Sequence, residues 1–182
     1  MWTPQGWAVA MPTSLAEDLA WSLVSLASEQ PLGTVSFRTL AAHARLAPGT
    51  ITNHFATKQE LLAVCTTVVG RWLAHATFDH VRERGPVGLF PGPDDLTYRW
   101  LLAAWVQLEA HALTDRAVDE RVRAAGPQLQ RSVASALDGP DPDATTLARL
   151  CVDGLRRELV RPGADLTPAD ALAALAPLAG TG

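Results

Sequence analysis

The chain has 182 residues, 48% of them hydrophobic and 19% charged, enough to bury roughly 70% of its unfolded surface in a core, which excludes a disordered or fibrous chain. No apolar run approaches the roughly 18 residues of a membrane helix and Met1–Met11 lacks the basic flank of a secretory signal, so a cytoplasmic protein with no membrane partner is expected; Cys65 and Cys151 are too isolated for a zinc site or disulfide framework, so neither metal nor cofactor is. The net charge of −4 argues, taken whole, against nucleic acid, yet residues 31–59 carry Arg38, Arg45 and Lys58 with no acidic residue, while 61–182 hold twelve basic and fifteen acidic side chains.

Residues 1–12 show no periodicity and contain two prolines, which reads as a disordered arm or an overextended start ahead of Met11. From Ser14 the pattern changes. Leu15, Leu19, Leu23 and Leu26 recur at helical spacing, and Ser14 with Glu17 has the S-x-x-E form of a capping box, predicting a helix over 14–29. Pro31 and Gly33 end it. Ser36 then caps a short helix through Ala44, and after a break at Arg45 and Leu46 the ring of Pro48 fits the first position of another. Thr57 and Glu60 repeat the capping-box form before a long helix over 58–83, whose apolar stripe is Leu61, Leu62, Cys65, Val68, Val69, Trp72 and Leu73. The Gly- and Pro-rich stretch 85–93 predicts a loop, followed by helices over about 94–113, 115–137, 143–160 and 168–179. With no alternating β-branched run and no Asn-Gly or Asp-Gly turn, the chain reads as all-α.

Three helical pieces, the last two short and joined by a tight turn, have the spacing of a helix-turn-helix. The residues are more specific than the spacing. Across 37–62, Ala41, Ala44, Gly49, Thr50, Ile51, His54, Phe55, Lys58 and Leu61 fall in register with the DNA-binding segment of the TetR family of transcriptional regulators, which this stretch closely resembles. The resemblance implies a three-helix DNA-binding domain over 13–60, joined by the long helix to a helical regulatory domain over 61–182, for ligand binding and dimerisation. Leu40, Ala44, Leu46, Ile51 and Phe55 supply the apolar contacts between the two short helices, leaving polar groups for DNA. Ser36, Arg38, Arg45, Thr50, Thr52, Asn53, His54 and Lys58 form the candidate DNA-binding set. Arg38 suits a guanine edge and Asn53 an adenine; Thr50, His54 and Lys58 suit phosphates. A cation at a helix N-terminus opposes the helix dipole, which makes Lys58 easier to explain by a phosphate nearby. The sequence departs from the family pattern at three places: Arg45 stands where Gly is usual, Ala47 where a Ser cap is usual, and Thr52 where Tyr is usual.

The C-terminal half resembles the family's regulatory half less specifically, through Trp100–Ala136, an Asp153-Gly154-Leu155 helix and a final helix after Thr167-Pro168. That likeness places Leu147, Leu150, Cys151, Gly154, Leu155, Leu172, Leu175 and Leu178 at a homodimer interface, with Gly154 admitting a close helix crossing. Packing of the same residues within one subunit is the competing reading. For a ligand pocket the candidates are Trp72, His75, Phe78, Trp100, Trp105, Gln107 and His111, again against a plain core role. No nucleophile elbow, phosphate loop, dinucleotide fingerprint or metalloprotease motif is present, so an enzyme is not expected. The resemblance implies a repressor that binds a palindromic operator as a dimer and is released by a small apolar effector. The alternative is a dimeric small-molecule-binding protein whose DNA-binding module no longer recognises an operator.

Overall fold

The structure, a computed structural model, describes residues 14–134, 136–137, 142–161, 163 and 165–179. The N-terminal arm assigned to 1–12 lies outside them. Eight helices follow in order: α1 Leu15–Glu29, α2 Phe37–His43, α3 Pro48–His54, α4 Lys58–Arg84, α5 Leu96–Ala112, α6 Arg116–Ala134, α7 Pro142–Leu159 and α8 Pro168–Ala179. Short 3-10 turns stand at Leu32–Thr34 and Gly85–Leu89, and no strand occurs among the described residues.

The caps act where the sequence places them. Ser14 accepts the Glu17 N–H, Ser36 the Thr39 N–H and Thr57 the Glu60 N–H, each satisfying a donor that a helix start leaves free. Glu60 reaches back to the Ala56 N–H at 2.9 Å, whereas the Glu17 carboxylate is also engaged across the fold by Arg71 of α4 at 2.6 Å.

Helix α4 is the spine, with α1, α5 and α6 packed around it. One core runs from Leu19 and Leu23 of α1 through Ile51 and Phe55 of the α3 end to Leu73 of α4 and Leu108 of α5. A second, smaller core joins Leu89 and Phe90 to Val133, Val152, Leu159, Ala171 and Leu175. The stretch predicted as a loop therefore carries buried apolar side chains, because Leu89 and Phe90 follow the 3-10 turn directly into the seam beneath α7 and α8.

Within the subunit a close helix crossing stands at Gly70. A Cβ added to Gly70 would stand 2.8 Å from the Ala125 Cβ and 3.0 Å from the Trp105 ring, so α4 admits α6 and the indole only because this position has no side chain. At Gly154 an added Cβ meets nothing within 4 Å, so no helix crosses there among the described residues of the subunit. The expectation that no segment is apolar enough to span a membrane also needs correction. Helix α4 passes by length and hydropathy, but 67% of that window is buried inside the fold, as suits the central helix of a bundle. Cys65, sealed in this core, has its thiol pushed up to about 12 by burial, while Cys151 is half-buried.

Candidate nucleic-acid interface and effector cavity

The short helices present one polar face. Leu40 and Ile51 are fully buried and Phe55 nearly so, which fixes α2 against α3. On the other side Ser36, Arg38, Arg45, Thr52, Asn53 and His54 are exposed, and Thr50 is half-buried. No acidic residue falls within 31–59 to oppose a phosphate backbone.

The turn between these helices is a Schellman motif built on an arginine. Arg45 has φ of +57°, the one positive value at a non-glycine position among the described residues. Its N–H donates to the Ala42 carbonyl at 3.2 Å and that of Leu46 to the Ala41 carbonyl at 2.9 Å. A left-handed residue with a Cβ costs roughly 1–2 kcal/mol, so the arginine stands here against the backbone's preference. Helix α3 then starts at Ala47 without a side-chain cap. Thr52, in place of an aromatic residue, turns its hydroxyl onto the Gly49 carbonyl at 3.2 Å.

Lys58 is held differently from the expectation. Its ammonium donates to the carbonyls of Leu32 and Gly33 at 3.1 and 3.0 Å, and partial burial lowers its pKa from the ordinary lysine value. These two carbonyls explain a cation at the α4 N-terminus, so the dipole argument for a phosphate loses its force.

The predicted ligand residues do not converge. Of the seven, Trp105 alone lines the cavity enclosed by α4, α5, α6 and α7, which measures about 160 Å³. Trp72 packs edge-to-face on Trp21 of α1, with ring centroids 6.0 Å apart. His75 and Phe78 are exposed on α4, and Trp100 and His111 are half-buried away from the cavity. Gln107 is a strut. Its Nε2 donates to the Ala27 carbonyl and its Oε1 accepts the Leu32 N–H, both at 2.7 Å, tying α5 to the end of α1. A primary amide has one donor and one acceptor side, and both are occupied by backbone.

The cavity has an apolar floor of Leu73, Leu102, Trp105 and Val133 and a charged wall of Glu109, Arg149, Asp153, Arg156 and Arg157, none of which was singled out from sequence. Arg156 is buried. Its Nε donates to the Leu89 carbonyl at 2.9 Å and its Nη2 to the Thr77 and Tyr98 hydroxyls at 3.1 and 2.7 Å. A visible signal existed, because Arg156 falls in the apolar stripe Ala148, Val152, Leu159 of α7, where a charge demands a reason.

The proposed dimer residues divide. Leu150 is 65% exposed and Gly154 is exposed, whereas Leu175 is buried within its own subunit, and Cys151, Leu155 and Leu172 pack partly on the second core. Leu175 is therefore a core residue here. The side chains of Leu147 and Leu178 lie outside the described residues.

Residues 23–65 match the family model described as bacterial regulatory proteins, tetR family. A transcriptional regulator from Rhodococcus sp. Rha1 superposes with a TM-score of 0.75 at 22% identity, covering 92% of this chain and 95% of its own. A protein from Rhodococcus sp. assigned as a TetR-family transcriptional regulator gives 0.67 at 19% identity, over 89% of this chain and 94% of that one. One from Pseudomonas aeruginosa PAO1, assigned as a transcriptional regulator, gives 0.65 at 17%, over 90% and 87%. Comparison with curated proteins gives no match.

Proposed function

We propose that the chain, whose residues 23–65 match the tetR-family model, is a DNA-binding regulator of that family that works as a homodimer, occupies a palindromic operator, represses transcription there, and lets go when a small effector enters the cavity between α4 and α7. Residues 13–60 form the DNA-binding unit and 61–182 the regulatory one. The observation that carries the reading is the acid-free polar face of α2 and α3, where Arg38, Arg45, Asn53 and His54 stand exposed on helices whose other side is sealed into the core. Arg38 and Asn53 read base edges; Ser36, Arg45, Thr50, Thr52, His54 and Lys58 contact backbone, Lys58 by exchanging its loop carbonyls for a phosphate.

Two recognition helices one turn of DNA apart need a dimer, and the exposed Leu150 with the open Gly154 on α7 supports a partner on that helix. The effector acts through α4. Lys58 opens the helix that lines the cavity at Leu73, so a shift of α4 at one end moves the DNA-reading unit at the other.

A gel shift with the DNA flanking the chain's own gene tests this. Salt-sensitive, sequence-specific retardation by a species that sediments as a dimer is expected; a monomer at micromolar concentration refutes the assembly. A second reading, a dimeric ligand-binding protein without operator recognition, is favoured by the uncapped start of α3 at Ala47. It predicts only weak binding, indifferent to sequence, in the same gel.

A further inference from the structure

We infer that the effector of this cavity is a small carboxylic acid with a single ring, bound as its anion. The inference rests on the regulator reading only for the word effector; the site itself stands on its own geometry. The cavity measures about 160 Å³, and an apolar cavity of about 150 Å³ holds one benzene ring. Leu73, Leu102 and Trp105 provide the apolar surface against which such a ring lies.

The charged wall sets the rest. Arg157 is neutralised by Glu109 at 2.8 Å, and Glu109 also accepts the Trp105 indole N–H at 3.0 Å, so that pair is closed. Arg156, only 4% exposed, is held by a carbonyl and two hydroxyls, and no carboxylate lies within ion-pair distance of it among the described residues. Arg149 also lines the cavity and forms no ion pair among the described residues. The one remaining carboxylate of the wall is Asp153. Asp153 is exposed on α7, and partial desolvation raises its pKa against the pull of Arg156, Arg157 and Arg149. Two arginines against one solvent-exposed carboxylate leave a wall with one net positive charge beside an apolar floor. A buried cation without a counter-charge is costly, and an incoming carboxylate supplies that charge where solvent cannot. A neutral ring of the same size gains the floor and leaves the wall unpaired.

Calorimetry on the full-length chain with benzoate and with its neutral isostere benzamide separates the two. Benzoate is expected to bind at least tenfold more tightly than benzamide, the weight of about one charge-assisted hydrogen bond. Arg149→Gln, at a half-exposed position, is expected to weaken benzoate about fivefold to tenfold. Asp153→Asn is expected to tighten it, and neither substitution moves benzamide. The inference is overturned by equal affinity for the two ligands, by no benzoate binding at millimolar concentration, or by benzoate affinity indifferent to both substitutions. The regulator reading fails separately. If the operator is not retarded without ligand, or stays bound when benzoate is, the repression or the coupling is wrong while calorimetry still decides the ligand class.

Discussion

Replacing Arg45 by glycine sends two measurements in opposite directions. At φ of +57° the arginine holds a left-handed backbone between α2 and α3, which costs a residue bearing a Cβ about 1–2 kcal/mol. Glycine removes that cost but loosens the unfolded chain by roughly 0.4–1 kcal/mol, leaving a net stabilisation of about 0.5–1 kcal/mol. For a chain of this size that is a rise in Tm of roughly 1–4 °C. The same substitution deletes an exposed guanidinium from the proposed DNA face. One phosphate contact contributes about 0.9 to the slope of log K against log salt, so loss from both protomers flattens it by roughly 2. Thermal melts read the first effect and fluorescence anisotropy across a salt series the second. A Tm that falls refutes the strain argument; a slope that does not change refutes the phosphate contact, leaving Arg45 as a solvated turn residue.

Three further substitutions test the frame that positions this face. Gln107→Ala leaves the Leu32 N–H and Ala27 carbonyl without their partners, two hydrogen bonds that together contribute about 2 kcal/mol; a Tm lower by roughly 4–8 °C is expected, and an unchanged melt returns Gln107 to the ligand residues. Gly70→Ala gains about 1 kcal/mol in helix propensity but forces a methyl to 2.8 Å from Ala125, an overpacking cost of typically 1–3 kcal/mol, so net destabilisation in a urea titration is expected and stabilisation shows that α6 gives way. Asp95 tests the acid limit. Burial raises its pKa, but the bidentate Arg84 at 2.6 and 2.8 Å, the Gly92 N–H and His80 outweigh it and hold the carboxyl below its ordinary 3.8. Its contribution is complete above that unfolded value and is lost as pH falls through the lower folded one, so the wild-type Tm drops more steeply in acid than that of Asp95→Asn; parallel curves refute the assignment.

What the sequence made legible was whatever a short window contains. Ser14, Ser36 and Thr57 mark helix starts because a hydroxyl three residues from a free N–H is a local fact, and Pro31, Pro48 and Pro168 mark boundaries through their own rings. Arg45 was legible through the resemblance, which puts a glycine at that turn position. The cavity was not, because it is set by pairs far apart in the chain. Gln107 has the composition of a pocket residue and becomes a strut only because the α1 terminus lies beside it, 80 positions away. Gly154 and Gly70 are both helical glycines, and only the packing of α6 decides which of them is a crossing.

Charge depends on long-range placement in the same way. A cation at a helix start seemed to call for an external anion, yet the chain supplies its own acceptors in the carbonyls of Leu32 and Gly33, delivered by a turn 25 residues earlier. Those carbonyls belong to the turn whose Leu32 N–H is held by Gln107, so the position of α5 and the start of α4 meet at one residue. Arg156 is the converse. It looks like one of many surface arginines, and only its place in the buried stripe of α7, over the Tyr98 ring at 5.9 Å, shows that its charge is held inside the protein. The net charge of −4 therefore says little about partners. What bears on them is where basic groups without an ion pair gather around a candidate site, as they do on the outer face of α2 and α3 and at the wall of the cavity.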